Sequence, residues 1–142
     1  MMIDFVNKLS PKKEDLATEV ILFAKSQLMP RVRKIFINIH AERGLAKKGI
    51  YGDVLQEDDR EFTIRIDPHL PPEQFIVTLL HEMVHVYQYA TGKMKYKWIH
   101  EVIFEKEKYK WDMDYDSRPW EIEAHAKEKQ LKEKWDDSQR IF

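Results

Sequence analysis

Five consecutive residues combine two imidazoles with a carboxylate: His81, Glu82, Met83, Val84 and His85. On an α-helix with 3.6 residues per turn, His81 and His85 lie about 40° apart around the axis, so both can bind one ion from the same face. Glu82 lies about 100° from His81, which suits it to act on a water molecule at the open side of the ion. This spacing predicts a zinc site with Glu82 as the general base.

The residues around this motif are mostly apolar, which strengthens the prediction. Two histidines and a glutamate inside an apolar helix would cost several kcal/mol to bury without partners, and a metal ion supplies the partner. The apolar positions recur at helical spacing and are Phe75, Ile76, Leu79, Leu80, Met83, Val84 and Tyr87.

A catalytic zinc ion takes three protein ligands and one exchangeable water, so a third ligand must come from elsewhere in the chain. Because the chain contains no cysteine, that ligand must be a histidine or a carboxylate. The candidates are Glu121, Glu123, His125 and His100. Glu121 and Glu123 lie about 200° apart around a helix, so only one of them can face the ion.

The motif His81-Glu82-x-x-His85, followed by a helix reading Glu121-x-x-Ala124-His125, resembles the gluzincin class of zinc peptidases. The resemblance implies that Glu121 is the third ligand of one Zn²⁺ per chain. In that class an aspartate occupies the position of His125 and orients a metal-bound histidine. Since this chain departs from the pattern there, Glu123 stays an alternative ligand.

The segment from Arg118 to Ala124 also resembles compact minimal zincins, which include the SprT-like and phage-encoded metallopeptidases, over about residues 60 to 130. A strict SprT-like pattern would make His100 the third ligand. In zincins a strand antiparallel to the substrate precedes the active-site helix, and the resemblance assigns that edge position to Phe62 to Asp67. Tyr115, Arg118 and His125 are candidates to stabilise the oxyanion of a tetrahedral intermediate.

The elements that must position these residues can be read from the same sequence. Proline and N-cap signals predict helices that begin at Ser10-Pro11, Pro72 and Pro119. Alternating apolar residues predict four strands or ribbon segments, at Lys34 to His40, Glu61 to Asp67, Trp98 to Phe104, and Lys108 to Trp111. A further short strand at Ile50 to Gln56 is expected to form a hairpin with the segment from Glu61 to Asp67. We expect one α+β domain over residues 1–142, a minimal zincin with an N-terminal helix, a small mostly antiparallel sheet, the active-site helix and a second ligand-bearing helix.

The overall composition limits the kinds of partner that we expect. With 24 basic and 25 acidic residues, the chain carries no net field that would attract nucleic acid or an anionic membrane, and we expect neither as a partner. The absence of cysteine fits a cytoplasmic location.

From the motif and the resemblance, we expect a zinc-dependent hydrolase, a peptidase acting on peptides or proteins. The alternative is a zinc-containing regulatory or binding protein with little or no proteolytic activity. The sequence leaves the oligomeric state open.

Overall fold

The computed structural model describes residues 1–97 and 100–140. Within these ranges the chain forms three α-helices and seven β-strands. The helices are α1 (Pro11–Leu28), α2 (Pro72–Ala90) and α3 (Pro119–Ser138), and the strands are β1 (Met2–Val6), β2 (Phe36–Ala41), β3 (Gly52–Asp58), β4 (Glu61–Ile66), β5 (Met94–Lys97), β6 (Glu101–Phe104) and β7 (Glu107–Lys110). The expected α+β class is confirmed.

Each helix begins at a proline, as the sequence predicts: Pro11, Pro72 and Pro119. Proline suits the first helical position because its ring fixes φ near the helical value and no N–H donor is needed there. Ser10 caps α1 by accepting a hydrogen bond from the Lys13 backbone N–H at 3.3 Å. In the described part of the chain, none of the helices has the combination of length and hydropathy that crossing a bilayer requires.

The larger sheet has the strand order β1-β2-β4-β3. Strands β1 and β2 are parallel, β2 and β4 are parallel, and only β3 runs antiparallel to its neighbour β4. The sheet is therefore mixed rather than mostly antiparallel. The parallel pairing follows from α1, which returns the chain between β1 and β2 as a crossover connection. The sequence analysis did not predict β1, which is five residues long and is followed directly by Asn7 with a φ of 54°.

The edge of this sheet differs from the expectation. The predicted hairpin of β3 and β4 is confirmed, with an irregularity between Gln56 and Asp58. However, β4 lies between β2 and β3, so the prediction that Phe62 to Asp67 forms the edge strand is wrong. The reason is that β4 pairs with β2 as well as with its hairpin partner, which leaves β3 outside. Among the described residues, no further strand pairs with β3.

The main core lies between the larger sheet and the helices. The inward-facing side chains of β2 and β4 are fully buried, and α2 packs against both α1 and α3. The sheet residues concerned are Ile37, Ile39, Phe62, Ile64 and Ile66. Since α2 is covered by the sheet and by two helices, the side chains that it presents at its open face are held on a rigid support.

The smaller sheet is antiparallel and has the order β5-β6-β7. Its strand β5 was not predicted, and the predicted ribbon segments correspond to β6 and β7. Trp98 and Ile99, where the first ribbon segment was expected to begin, lie outside the described residues. Met94, Val102 and Phe104 form a second apolar cluster with Trp120 of α3. The small sheet therefore supports the beginning of α3.

Candidate metal centre

Helix α2 brings His81 and His85 onto one face, as their spacing predicts. Their ring centroids lie 4.9 Å apart. The His85 side chain is 8% exposed and the His81 side chain 12% exposed, so both rings are largely removed from water. Two neighbouring imidazoles at this depth need specific polar partners.

Glu121, in the first turn of α3, reaches both rings. Its Oε1 lies 3.1 Å from His81 Nε2 and 3.1 Å from His85 Nε2. Ligand-type atoms of the three residues all lie within 4.8 Å of one another. In tetrahedral zinc sites, metal–ligand distances of about 2.0–2.1 Å place ligand atoms about 3.3 Å apart, close to the separations seen here. We name the group of His81, His85 and Glu121 the metal centre, as the candidate site for an ion.

The packing of α3 on α2 places Glu121 in this position. Trp120 is 1% exposed and anchors the first turn of α3, while Ala124 is fully buried and is small enough to let the two helices approach closely. Further along α3, Leu131 and Trp135 join the main core, where the Trp135 ring meets Phe23 edge to face at 5.4 Å. The position of Glu121 is thus set by apolar contacts over the length of the helix.

Gln88 determines which nitrogen of His85 carries the proton. Its amide NH₂ group donates to the Trp120 carbonyl at 2.9 Å and to Glu123 Oε1 at 3.0 Å. Both partners only accept hydrogen bonds, so the Gln88 Oε1 atom must face His85 Nδ1, 2.7 Å away. The neutral His85 ring therefore carries its proton on Nδ1 and directs the lone pair of Nε2 at Glu121.

Glu128 has the same effect on His81. Its Oε1 lies 2.9 Å from His81 Nδ1, and an ionised carboxylate only accepts hydrogen bonds. The neutral His81 ring therefore also directs its Nε2 lone pair toward Glu121. Carboxylates that receive the second ring N–H of a metal-bound histidine fix its orientation and raise its basicity.

The metal centre thus directs three electron pairs at one point, an arrangement that requires a positive charge. Burial alone would lower the pKa of His81, but the hydrogen bonds to Glu121 and Glu128 outweigh it and raise the pKa to about 10. Burial would raise the pKa of Glu121, but its hydrogen bonds to the two histidines hold that pKa well below its usual range. A proton can meet this requirement, and so can a divalent cation with nitrogen and oxygen ligands. The donor set fits Zn²⁺.

Glu82 lies beside the metal centre and is 6% exposed. Burial raises its pKa above the usual value for a glutamate, against the lowering effect of His85 and His81. Among the described residues, its carboxylate has no hydrogen-bond partner, although it lines the same cleft as His81. A buried carboxylate of this kind is suited to accept and release a proton.

Strand β3 borders this cleft, and Gly52 allows its close approach to α2. A Cβ atom at Gly52 would lie 2.8 Å from the Arg65 carbonyl oxygen, 2.9 Å from Thr78 Cγ2 and 3.8 Å from Glu82 Cγ. Glycine is the residue that leaves this space open. The segment Gly52 to Val54 therefore lines the cleft directly beside the metal centre.

Tyr115 and His125 lie at the opposite side of the cleft. The Tyr115 hydroxyl donates to Glu121 Oε1 at 3.0 Å and lies 3.0 Å from His125 Nε2. His125 is half exposed, and its Nδ1 is 3.8 Å from Glu128 Oε1. Ligand-type atoms of His81, His125 and Glu128 also lie within 4.8 Å of one another. Because Glu128 already accepts the His81 ring N–H, we assign this second group to orientation rather than to metal binding.

Of the remaining candidates, Arg118 lines the cleft beside the metal centre, whereas Glu123 and His100 do not. Glu123 turns away from the two histidines and contacts Gln88 and Lys93. The Arg118 guanidinium lies over the Trp111 ring at 5.2 Å, with its Nε donating to the Met113 carbonyl.

His100 belongs to neither of the clusters of ligand-type residues found among the described residues. It is exposed in the turn before β6 and has a φ of 57°.

The sequence analysis missed Gln88 and Glu128, although helical spacing contained a signal for each. Gln88 follows His85 by three positions, and Glu128 follows Glu121 by seven, so each shares a helix face with a ligand. Glu128 supplies the carboxylate that His125 lacks. Glu128 lies three residues after His125, about one turn further along α3.

No family model matches the chain, and neither the curated proteins nor the solved structures contain a chain that is significantly similar to it. Its function must therefore be inferred from the geometry of the metal centre.

Proposed function

We propose that the protein is a zinc-dependent metallopeptidase that binds one Zn²⁺ at His81, His85 and Glu121. The observation that carries this proposal is the convergence of two Nε2 lone pairs and one carboxylate oxygen, each Nε2 lying 3.1 Å from Glu121 Oε1. Three protein ligands leave a fourth position for water or substrate, as catalytic zinc sites require. Glu82 in the adjoining cleft supplies the base that a purely structural zinc site would not need.

Different side chains of the cleft would perform different steps of peptide hydrolysis. When bound, Zn²⁺ would polarise the scissile carbonyl and lower the pKa of a water molecule. Glu82 would accept the proton of the attacking water and then transfer it to the leaving amine, a role that its raised pKa favours. Tyr115 and His125 could donate hydrogen bonds to the oxyanion, because both lie at the rim beside Glu121.

The edge strand suggests how a peptide would be held. Because Gly52 to Val54 lines the cleft and no described strand pairs with the outer side of β3, an extended peptide could add there through backbone hydrogen bonds. The partner in this proposal is thus a peptide or an unstructured protein segment. We retain a cytoplasmic location as part of the proposal.

Metal analysis tests the ligand set. The wild-type protein should contain about one zinc per chain, as one three-ligand site predicts. His85→Ala and Glu121→Ala should lose it. Glu123→Gln is the matched control on the same turn of α3, and it should retain zinc because Glu123 contacts Gln88 and Lys93 instead. A wild-type protein that stays free of zinc after remetallation would refute the proposal.

Activity measurements test the role of Glu82. Glu82→Gln should retain zinc and lower kcat by about 10²–10⁴-fold, the usual contribution of a general base. Glu133→Gln changes an exposed glutamate of α3 and should leave kcat unchanged. If the zinc-loaded wild type cleaves no unstructured peptide, and Glu82→Gln preserves the biological effect, the protein is instead a zinc-containing regulatory or binding protein.

A further inference from the structure

A second part of the cleft extends from the metal centre toward the small sheet. It is a cavity of about 320 Å³ that is bounded on one side by His85, Glu121 and Glu82. Its other walls are mainly apolar and aromatic, and they include Ile50, Val54, Tyr89, Met94, Trp111 and Trp120. A cavity with this lining next to the reacting groups is suited to hold a side chain of the substrate.

The walls of this cavity are formed in advance by packed elements. Val54 faces inward because its partner across the strands, Ile64, is fully buried in the core. Met94 and Trp120 are 3% and 1% exposed, respectively. The Trp111 ring lies nearly parallel to that of Trp120, with an interplanar angle of 9° and centroids 6.4 Å apart. Little ordering is therefore needed when a ligand enters.

The charges around the cavity argue against an ionic side chain as its occupant. Glu82 and Glu121 would repel an acidic group. Arg118, the cation of the lining, is already held over the Trp111 ring at 5.2 Å. Asp53, the other carboxylate of the lining, is paired with Arg65, whose Nε donates to it at 2.8 Å. Glu82 and Glu121 are the carboxylates left for a basic side chain to pair with. A basic side chain would compete there with the metal ion, so it is also disfavoured as the occupant.

Trp120 also carries a buried polar group. The Trp120 indole N–H is buried and has no acceptor among the residues that the structure describes. This atom is shielded from solvent, so it is not counted among the groups that meet the occupant. The apolar lining therefore defines the occupant, whose side chain can be aromatic or aliphatic.

We propose that this cavity selects a large apolar or aromatic side chain at the residue next to the scissile peptide bond. This inference rests on the proposed peptidase function and gives it a substrate class: extended peptides with phenylalanine, tyrosine or leucine at that position. Val54 is the lining residue through which the cavity can be tested, since it lies on the edge strand and is not one of the proposed ligands.

The test uses one unstructured peptide in four versions, with phenylalanine, leucine, alanine or glutamate at a single position. Zinc-loaded wild type should cleave beside phenylalanine and leucine at least tenfold more efficiently than beside alanine, because pocket methylenes are worth about 10–200-fold each. Val54→Phe should fill the cavity and reduce this ratio at least tenfold. Leu55→Phe is the matched control, since Leu55 faces the other side of the sheet and is 61% exposed, so it should keep the wild-type ratio.

Binding to the Glu82→Gln variant, measured by calorimetry with the same peptides, separates the two proposals. Cleavage without side-chain preference would overturn the pocket and leave the peptidase function standing. Preferential binding of the phenylalanine peptide that Val54→Phe abolishes, without any cleavage by wild type, would support the pocket and overturn the peptidase function. The absence of both binding and cleavage would overturn both proposals.

Discussion

Replacing Gln88 by leucine should weaken zinc binding although Gln88 does not touch the metal position. The substitution keeps a side chain of similar size at a fully buried position. It removes the acceptor of the His85 Nδ1–H, which lies 2.7 Å from Gln88 Oε1. Without that acceptor, the neutral ring loses its preference for the proton on Nδ1, and a proton on Nε2 blocks metal binding.

The expected magnitude follows from the contacts that are lost. Loss of a hydrogen-bond partner of a metal-bound histidine costs about 10–100-fold in metal affinity. That range corresponds to about 1.4–2.7 kcal/mol. The Trp120 carbonyl and Glu123 also lose the donors that Gln88 provides at 2.9 and 3.0 Å, so the fold should lose about 1–3 kcal/mol of stability.

The assay is a zinc titration in competition with a chromophoric chelator at fixed pH, combined with chemical unfolding of the metal-free protein. Gln88→Glu preserves an acceptor for His85 while it removes the amide donors. It should therefore bind zinc more tightly than Gln88→Leu although it unfolds at least as easily. Gln130→Leu alters an exposed glutamine of α3 and controls for the substitution itself. If Gln88→Leu binds zinc as tightly as the wild type, the tautomer reasoning is refuted.

Three further predictions concern Gly52, protons and the metal ion. Gly52→Ala should destabilise the protein by about 1–3 kcal/mol through overpacking. Adding Thr78→Ser should restore part of this stability, measured by thermal unfolding, because it removes one of the two close contacts of the new Cβ atom. If Thr78→Ser restores no stability, this account is wrong. Since the pKa of His81 is raised from 6.5 to about 10, its contribution to the stability of the metal-free protein is present below pH 6.5 and is lost as the pH rises toward 10. The same proton must leave when zinc binds, so apparent zinc affinity should rise about tenfold per pH unit between pH 7 and 9, and a flat profile in calorimetry would contradict the assignment. Zinc at about 1,000 times its Kd should add about 4 kcal/mol to the free energy of unfolding, and a chelator should remove this gain.

The shared face of His81 and His85 on α2 could be predicted because everything that defines it is local. Helical periodicity fixes the relative directions of His81 and His85, and the apolar positions around them identify a buried helix. The beginnings of the helices followed from proline for the same reason. Such signals do not depend on which distant segment packs against the helix.

The edge strand and the supporting hydrogen bonds depend on distant contacts and were missed. The sequence of β3 contains no signal that β4, its hairpin partner, also pairs with β2. The edge position could therefore not be assigned from the order of the strands along the chain. Gln88 acts on His85 only because α3 brings the Trp120 carbonyl and Glu123 to its amide group. Likewise, the role of Glu128 appears only when α3 lies against α2.

The metal centre joins two segments that are forty residues apart, from His81 to Glu121. In a chain without cysteine, an ion at this point would act as a cross-link and would close the intervening segment into a loop. A covalent link that closes a loop of this length would stabilise a fold by about 4 kcal/mol through the entropy of the unfolded chain. The loop contains β5, β6 and β7, so zinc occupancy would tether the small sheet to the main core, and protease protection of that sheet would report on the ion.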